Sequence, residues 1–126
     1  MENGLKHILI VDDEPVVLLG LKKLLSTNRV RVETAETYQS AMSLFSKNKF
    51  AVIIADLRLT GVQAEEGLDI LSVIKKEHPQ TRFILITGYG SADVKERALA
   101  GGADYYFEKP LSAYALQEAL DEMGMR

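Results

Sequence analysis

Three stretches of the chain are apolar at every position: Ile8-Leu9-Ile10-Val11, Phe50-Ala51-Val52-Ile53-Ile54-Ala55 and Phe83-Ile84-Leu85-Ile86. Short runs without polar alternation read as strands covered on both faces, the habit of central strands in a parallel sheet. Each ends on a polar residue: Asp12, Asp56 and Thr87 respectively. Val30-Arg31-Val32-Glu33-Thr34 alternates instead, which predicts an edge strand with one face in water. Asp104 to Lys109 is a fifth strand with a basic end. Helical spacing fills the gaps. The acids after Val11 followed by Pro15 open a first helix with Val17, Leu18, Leu21, Leu24 and Leu25 inward, ending near Thr27-Asn28. A second runs from about Thr37 with Ala41, Leu44 and Phe45 inward. After a polar loop over Gly61 to Glu66, Gly67 leads into a third with Leu68, Leu71 and Ile74 on one face, ending before Pro79. Ser91 caps a fourth, whose inward positions Val94, Ala98 and Leu99 are few and mostly small, so it is lightly anchored. Gly101-Gly102 closes it, and Ser112 opens a fifth with Leu116, Leu120 and Met123 inward.

Strict strand-helix alternation predicts an α/β fold, a (βα)5 doubly wound parallel five-stranded sheet in a single domain over residues 1–126. With the second strand at an edge, strand order 2-1-3-4-5 fits, and its switch point lies between strands 1 and 3. That order brings Asp12, Asp13 and Asp56 together at the carboxyl ends of the strands. Thr87 and Lys109 reach the same rim.

Composition narrows the function classes. A chain of 126 residues has room for one ordinary core. Its net charge of -3 supplies no basic field, so direct nucleic-acid or membrane binding is not expected. There is no cysteine, hence no disulfide framework or thiolate chemistry. The start, Met1 to His7, runs into only four strongly apolar residues, too few for a secretory core, and the expected compartment is the cytoplasm.

Three neighbouring carboxylates repel and raise one another's pKa unless a cation joins them. An all-oxygen acidic site suits Mg²⁺, with Mn²⁺ as the alternative, and such a site usually shares its ion with a phosphate. Lys109 offers a point charge to phosphate oxygens, Thr87 a hydroxyl, and the amides opening the fourth helix further donors. An Asp carboxylate also serves as a nucleophile that forms an aspartyl phosphate. His7 and His78 have no acidic or nucleophilic neighbour in sequence and read as surface histidines. Gly88-Tyr89-Gly90 lacks the third glycine of a dinucleotide fingerprint and reads as a turn.

The segments ILIVDDEP, VIIADLRLTG, ILITGYG and GGADYYFEKP resemble the receiver domains of two-component response regulators, across essentially the whole chain. The resemblance implies the flavodoxin-like, CheY-like fold and a phosphoprotein that accepts a phosphoryl group on Asp56 from a histidine kinase or phosphotransfer protein. It implies that Asp13, Asp56 and the backbone carbonyl of Arg58 hold Mg²⁺, with Asp12 acting partly through water, and that Lys109 pairs with the phosphate. It further implies a Thr87-Tyr106 switch pair, a cis Lys109-Pro110 peptide, and Arg58 and Tyr89 flanking the path of the hydrolytic water. The fourth helix, fifth strand and fifth helix would then form the surface for an effector or a second copy. Such a chain is a switch rather than a turnover enzyme, limited to self-catalysed phosphoryl transfer and autodephosphorylation.

The chain departs from the family after Asp56: Thr60 stands where most receivers have Pro, and Gly67 arrives about three residues late, behind Gln63-Ala64-Glu65-Glu66. Other classes predict other residues. Aspartate-nucleophile phosphatases carry alternate acids, Asp-x-Asp, after their first strand, whereas here the acids are adjacent and followed by Glu14-Pro15. A flavin or nucleotide module needs a Gly- or Thr/Ser-rich loop in that place. A receiver-like interaction module that is never phosphorylated is the alternative reading, and the presence of all five site residues weighs against it.

Overall fold

The computed structural model describes residues 5–61 and 64–125. Met1 to Gly4, read above for a secretory signal, Val62 and Gln63 of the long loop, and Arg126 lie outside the described residues. Strands β1 (Lys6–Val11), β2 (Val30–Ala35), β3 (Val52–Asp56), β4 (Arg82–Thr87) and β5 (Tyr105–Glu108) alternate with helices α1 (Pro15–Leu25), α2 (Tyr38–Lys47), α3 (Glu66–Glu77), α4 (Ala92–Ala100) and α5 (Ala113–Glu122). The strands form one parallel sheet in the order β2-β1-β3-β4-β5. No helix among the described residues is long and apolar enough to cross a membrane.

Successive strand residues point to opposite faces, which is why the uninterrupted apolar runs feed two cores. Leu9, Val11, Ile53, Ala55, Phe83 and Leu85 pack under α2, α3 and α4. Ile8, Ile10, Val52, Ile54, Ile84 and Ile86 pack under α1 and α5. Each Val, Leu, Ile or Phe side chain among them contributes about 1.5–3 kcal/mol by leaving water. β2 alternates, with Val30 and Val32 buried and Arg31 exposed.

Local chemistry sets the helix starts. Pro15 occupies the first turn of α1. Thr37 and Ser40 form a reciprocal capping box on α2, while Ser91 and Ser112 accept from Val94 N and Ala115 N at α4 and α5. Two inward assignments are corrected. Leu24 and Leu99 are exposed, because α1 and α4 each turn only a narrow stripe to the sheet. The histidines are half-buried rather than at the surface: His78 meets the Phe45 ring edge-on at 4.8 Å, and His7 lies 6.3 Å from the Phe50 ring. Helix α3 begins at Glu66, one residue before the glycine expected to lead into it.

Candidate functional site

Register decides which polar residues meet. Val11 pairs with Ala55, Asp56 with Ile86 and Thr87 with Glu108, so Asp12 and Asp56 emerge side by side and Lys109 follows β5 onto the same rim. Because β1 and β3 send their chains away on opposite faces, a crevice opens between them. One oxygen from each of Asp12, Asp13 and Asp56 lies within 4.8 Å of the others. Lys109 Nζ bridges the cluster, 3.1 Å from Asp12 Oδ2, 3.4 Å from Asp56 Oδ2 and 3.2 Å from Glu14 Oε1. The other Asp12 oxygen accepts from Glu14 N at 2.9 Å, which fixes the turn into α1. Asp12 is wholly buried, whereas Asp13 is exposed toward a cleft of about 410 Å³ that Glu14, Asp56, Arg58, Tyr89 and Lys109 also line.

Electrostatics separate these groups. Burial, reinforced by the Asp12 charge, pushes the Asp56 carboxyl from 3.8 to about 6 although Lys109 pulls the other way. Burial likewise raises Asp12 against its Glu14 amide and Lys109 bonds. Burial by itself would lower Lys109, but the Asp12 bond and the charges of Asp56 and Asp12 raise it, so it stays a cation. One ammonium therefore faces more negative charge than it neutralises. A hard divalent cation fits that deficit and that all-oxygen donor set.

The remaining predicted residues sit around this centre. Thr87 is fully buried, and its hydroxyl accepts from Tyr89 N at 2.9 Å. Arg58 stacks its guanidinium 4.5 Å from the Tyr89 ring centroid, so the two long side chains roof one side of the cleft. The half-buried Tyr106 donates to Glu108 at 3.0 Å, and the Lys109-Pro110 peptide is cis. Gly90 lies so close to the Tyr106 hydroxyl and the Glu108 carboxylate that a Cβ there would collide with both.

Two features escaped sequence reasoning. Glu14, read only as part of a helix start, is a third carboxylate on Lys109; its place next to Asp12 and Asp13 was the available signal. The late Gly67 still makes a close approach, since a Cβ on it would lie 2.5 Å from the Asp56 carbonyl oxygen and 2.7 Å from Leu57 Cα. Glu66 ties the lengthened connection down by accepting from Leu59 N at 3.0 Å and from the Thr60 hydroxyl at 2.5 Å. Thr60, standing in place of the expected Pro, supplies that second donor.

The family described as response regulator receiver domain matches residues 8–121. The response regulator protein PilR of Pseudomonas aeruginosa is 34% identical over 110 residues, covering 87% of this chain and 24% of PilR. The chain thus spans about a quarter of that relative's length. A CheY-like response regulator receiver domain protein from Methanospirillum hungatei is 32% identical, with a TM-score of 0.83 over 95% of this chain and 97% of that one. A response regulator from Burkholderia pseudomallei, solved with a phosphorylated aspartic acid, calcium ion and citrate, is 30% identical, with a TM-score of 0.81 over 91% of this chain and 66% of its own.

Proposed function

Because the chain belongs to the response regulator receiver domain family, we propose that it is a phosphoacceptor switch that takes a phosphoryl group onto Asp56 from a histidine kinase or phosphotransfer protein. The observation that carries this reading is the cluster itself: Asp12, Asp13 and Asp56 within 4.8 Å of one another, with Lys109 Nζ 3.4 Å from Asp56 Oδ2. An Asp56 oxygen attacks the phosphorus of the donor's phosphohistidine, the P–N bond breaks, and its electron pair leaves with the imidazole nitrogen. Asp13, Asp56 and the Arg58 carbonyl would hold Mg²⁺, with Asp12 acting through water. The ion supplies charge neutralisation to the transferring oxygens. Lys109 meets the added negative charge and Thr87 donates its hydroxyl to it. Support also comes from the Burkholderia pseudomallei relative, in which an aspartic acid is phosphorylated.

The output follows from what surrounds Thr87. Its hydroxyl holds the Tyr89 amide, and the same loop presents Gly90 to the Tyr106 hydroxyl. Drawing Thr87 toward a phosphoryl group therefore disturbs the loop that leads into α4, and Tyr106 moves to fill the space. α4, with only Val94 and Ala98 buried, is the element most easily displaced. The α4-β5-α5 surface then changes shape for an effector or a second copy. The chain's chemistry stops at its own phosphorylation and dephosphorylation. The test is intact mass after acetyl phosphate and Mg²⁺: one phosphoryl group should add to the parent and none to Asp56→Asn. Equal labelling of the variant would remove Asp56 from this role. A parent that takes no label from any donor would favour a receiver-like module never regulated by phosphorylation.

A further inference from the structure

The connection after Asp56 does more than lengthen a loop. Arg97 on α4 donates through both terminal nitrogens to Glu65, at 3.0 and 2.8 Å, while its Nε donates to Asp93 at 3.0 Å. Such fork-on-fork pairing fixes orientation as well as distance. Glu65 is the residue before α3, and its carboxyl is held below the ordinary range by the Arg97 bond. The next two residues are themselves bound to the acceptor's own strand exit. Glu66 accepts from Leu59 N and the Thr60 hydroxyl, and Gly67 N donates to Leu57 O at 2.8 Å at a place where a Cβ would collide with the Asp56 carbonyl oxygen. Among the described residues, no other side-chain hydrogen bond of α4 reaches another element.

We propose that the Glu65-Arg97 pair is a latch that holds α4 in its resting position, tied through Glu66 and Gly67 to the backbone leaving Asp56, and that it sets the threshold of the switch. The latch rests on the phosphoacceptor reading and specifies how that site is regulated. α4 is secured to the core by two buried side chains alone, so one oriented ion pair is a substantial part of what keeps it in place. An activating displacement of α4 separates the guanidinium from the carboxylate. Energy spent on breaking the pair is withdrawn from phosphoryl-mimic binding, because coupling between two sites is reciprocal. Both side chains are partly exposed, which limits the effect to a small factor, about three- to fivefold.

The test uses the full chain with Mg²⁺ and beryllofluoride as the aspartyl-phosphate mimic. Glu65→Gln, which keeps shape and removes charge, should raise amide exchange across Ala92–Ala100 in the unliganded protein. It should also tighten beryllofluoride binding by the same factor of about three to five. In an Arg97→Gln background, Glu65→Gln should change neither quantity further, because the partner is already gone. Parent-like exchange and affinity in Glu65→Gln, weaker affinity, or an undiminished effect in the Arg97→Gln background would each overturn the latch while leaving the phosphoacceptor site standing. A parent whose α4 exchange ignores bound beryllofluoride would overturn the α4 switch and the latch with it.

Discussion

Replacing the Asp56 carboxylate should stabilise the metal-free protein. Asp56 is 6% exposed, and burial with the neighbouring Asp12 charge holds its pKa near 6 instead of 3.8. The folded protein thus binds this proton more tightly than the unfolded chain does. That preference favours folding below about pH 4 and is lost as pH rises from about 4 to about 6. At 1.36 kcal/mol per pH unit, the loss is at most about 3 kcal/mol. Because the carboxylate opens onto a solvent-filled cleft, screening reduces the realised value to about 1–2 kcal/mol. Asp56→Asn keeps the side chain's shape without the charge, and it also relieves Asp12. Urea unfolding with a chelator present should therefore place the variant about 1–2 kcal/mol above the parent near pH 7, with the two converging near pH 4. A variant equally stable or less stable near pH 7, or a difference that does not vary with pH, would refute the account of a strained, cation-deficient cluster.

Other outcomes follow from the same geometry. Mg²⁺ at ten times its dissociation constant should stabilise the parent by about 1.4 kcal/mol, and Asp13→Ala should abolish the response in thermal melts; a parent melt indifferent to Mg²⁺ would count against the metal site. Removing the ring that Arg58 stacks upon, by Tyr89→Ala, should open the roof of the cleft and speed loss of the phosphoryl group, followed by intact mass against time. An unaltered rate would exclude shielding. Gly67→Ala forces the backbone beside Asp56 to shift and should cost about 1–3 kcal/mol in urea unfolding; a parent-like transition would show that the approach is easily relaxed.

The amino-acid sequence by itself determined the architecture. Strands covered on both faces must be apolar throughout, so β1, β3 and β4 were visible without a partner, and the alternation of β2 placed it at an edge. Strand order then followed from connection rules, and the rim residues Asp12, Asp13, Asp56, Thr87 and Lys109 from strand order. What the sequence could not supply was side-chain direction and long-range pairing, since neither leaves a periodic trace. Leu24 and Leu99 satisfy helical spacing yet face solvent, because the width of the buried stripe depends on how each helix lies on the sheet. Glu14 on Lys109, Arg58 over Tyr89 and Glu65 on Arg97 join residues 95, 31 and 32 positions apart. Gly67 could be seen to come late, but only packing shows that the longer path still returns a glycine to the backbone beside Asp56. Such contacts exist because the sheet brings separate loops to one edge, and tertiary structure alone decided them.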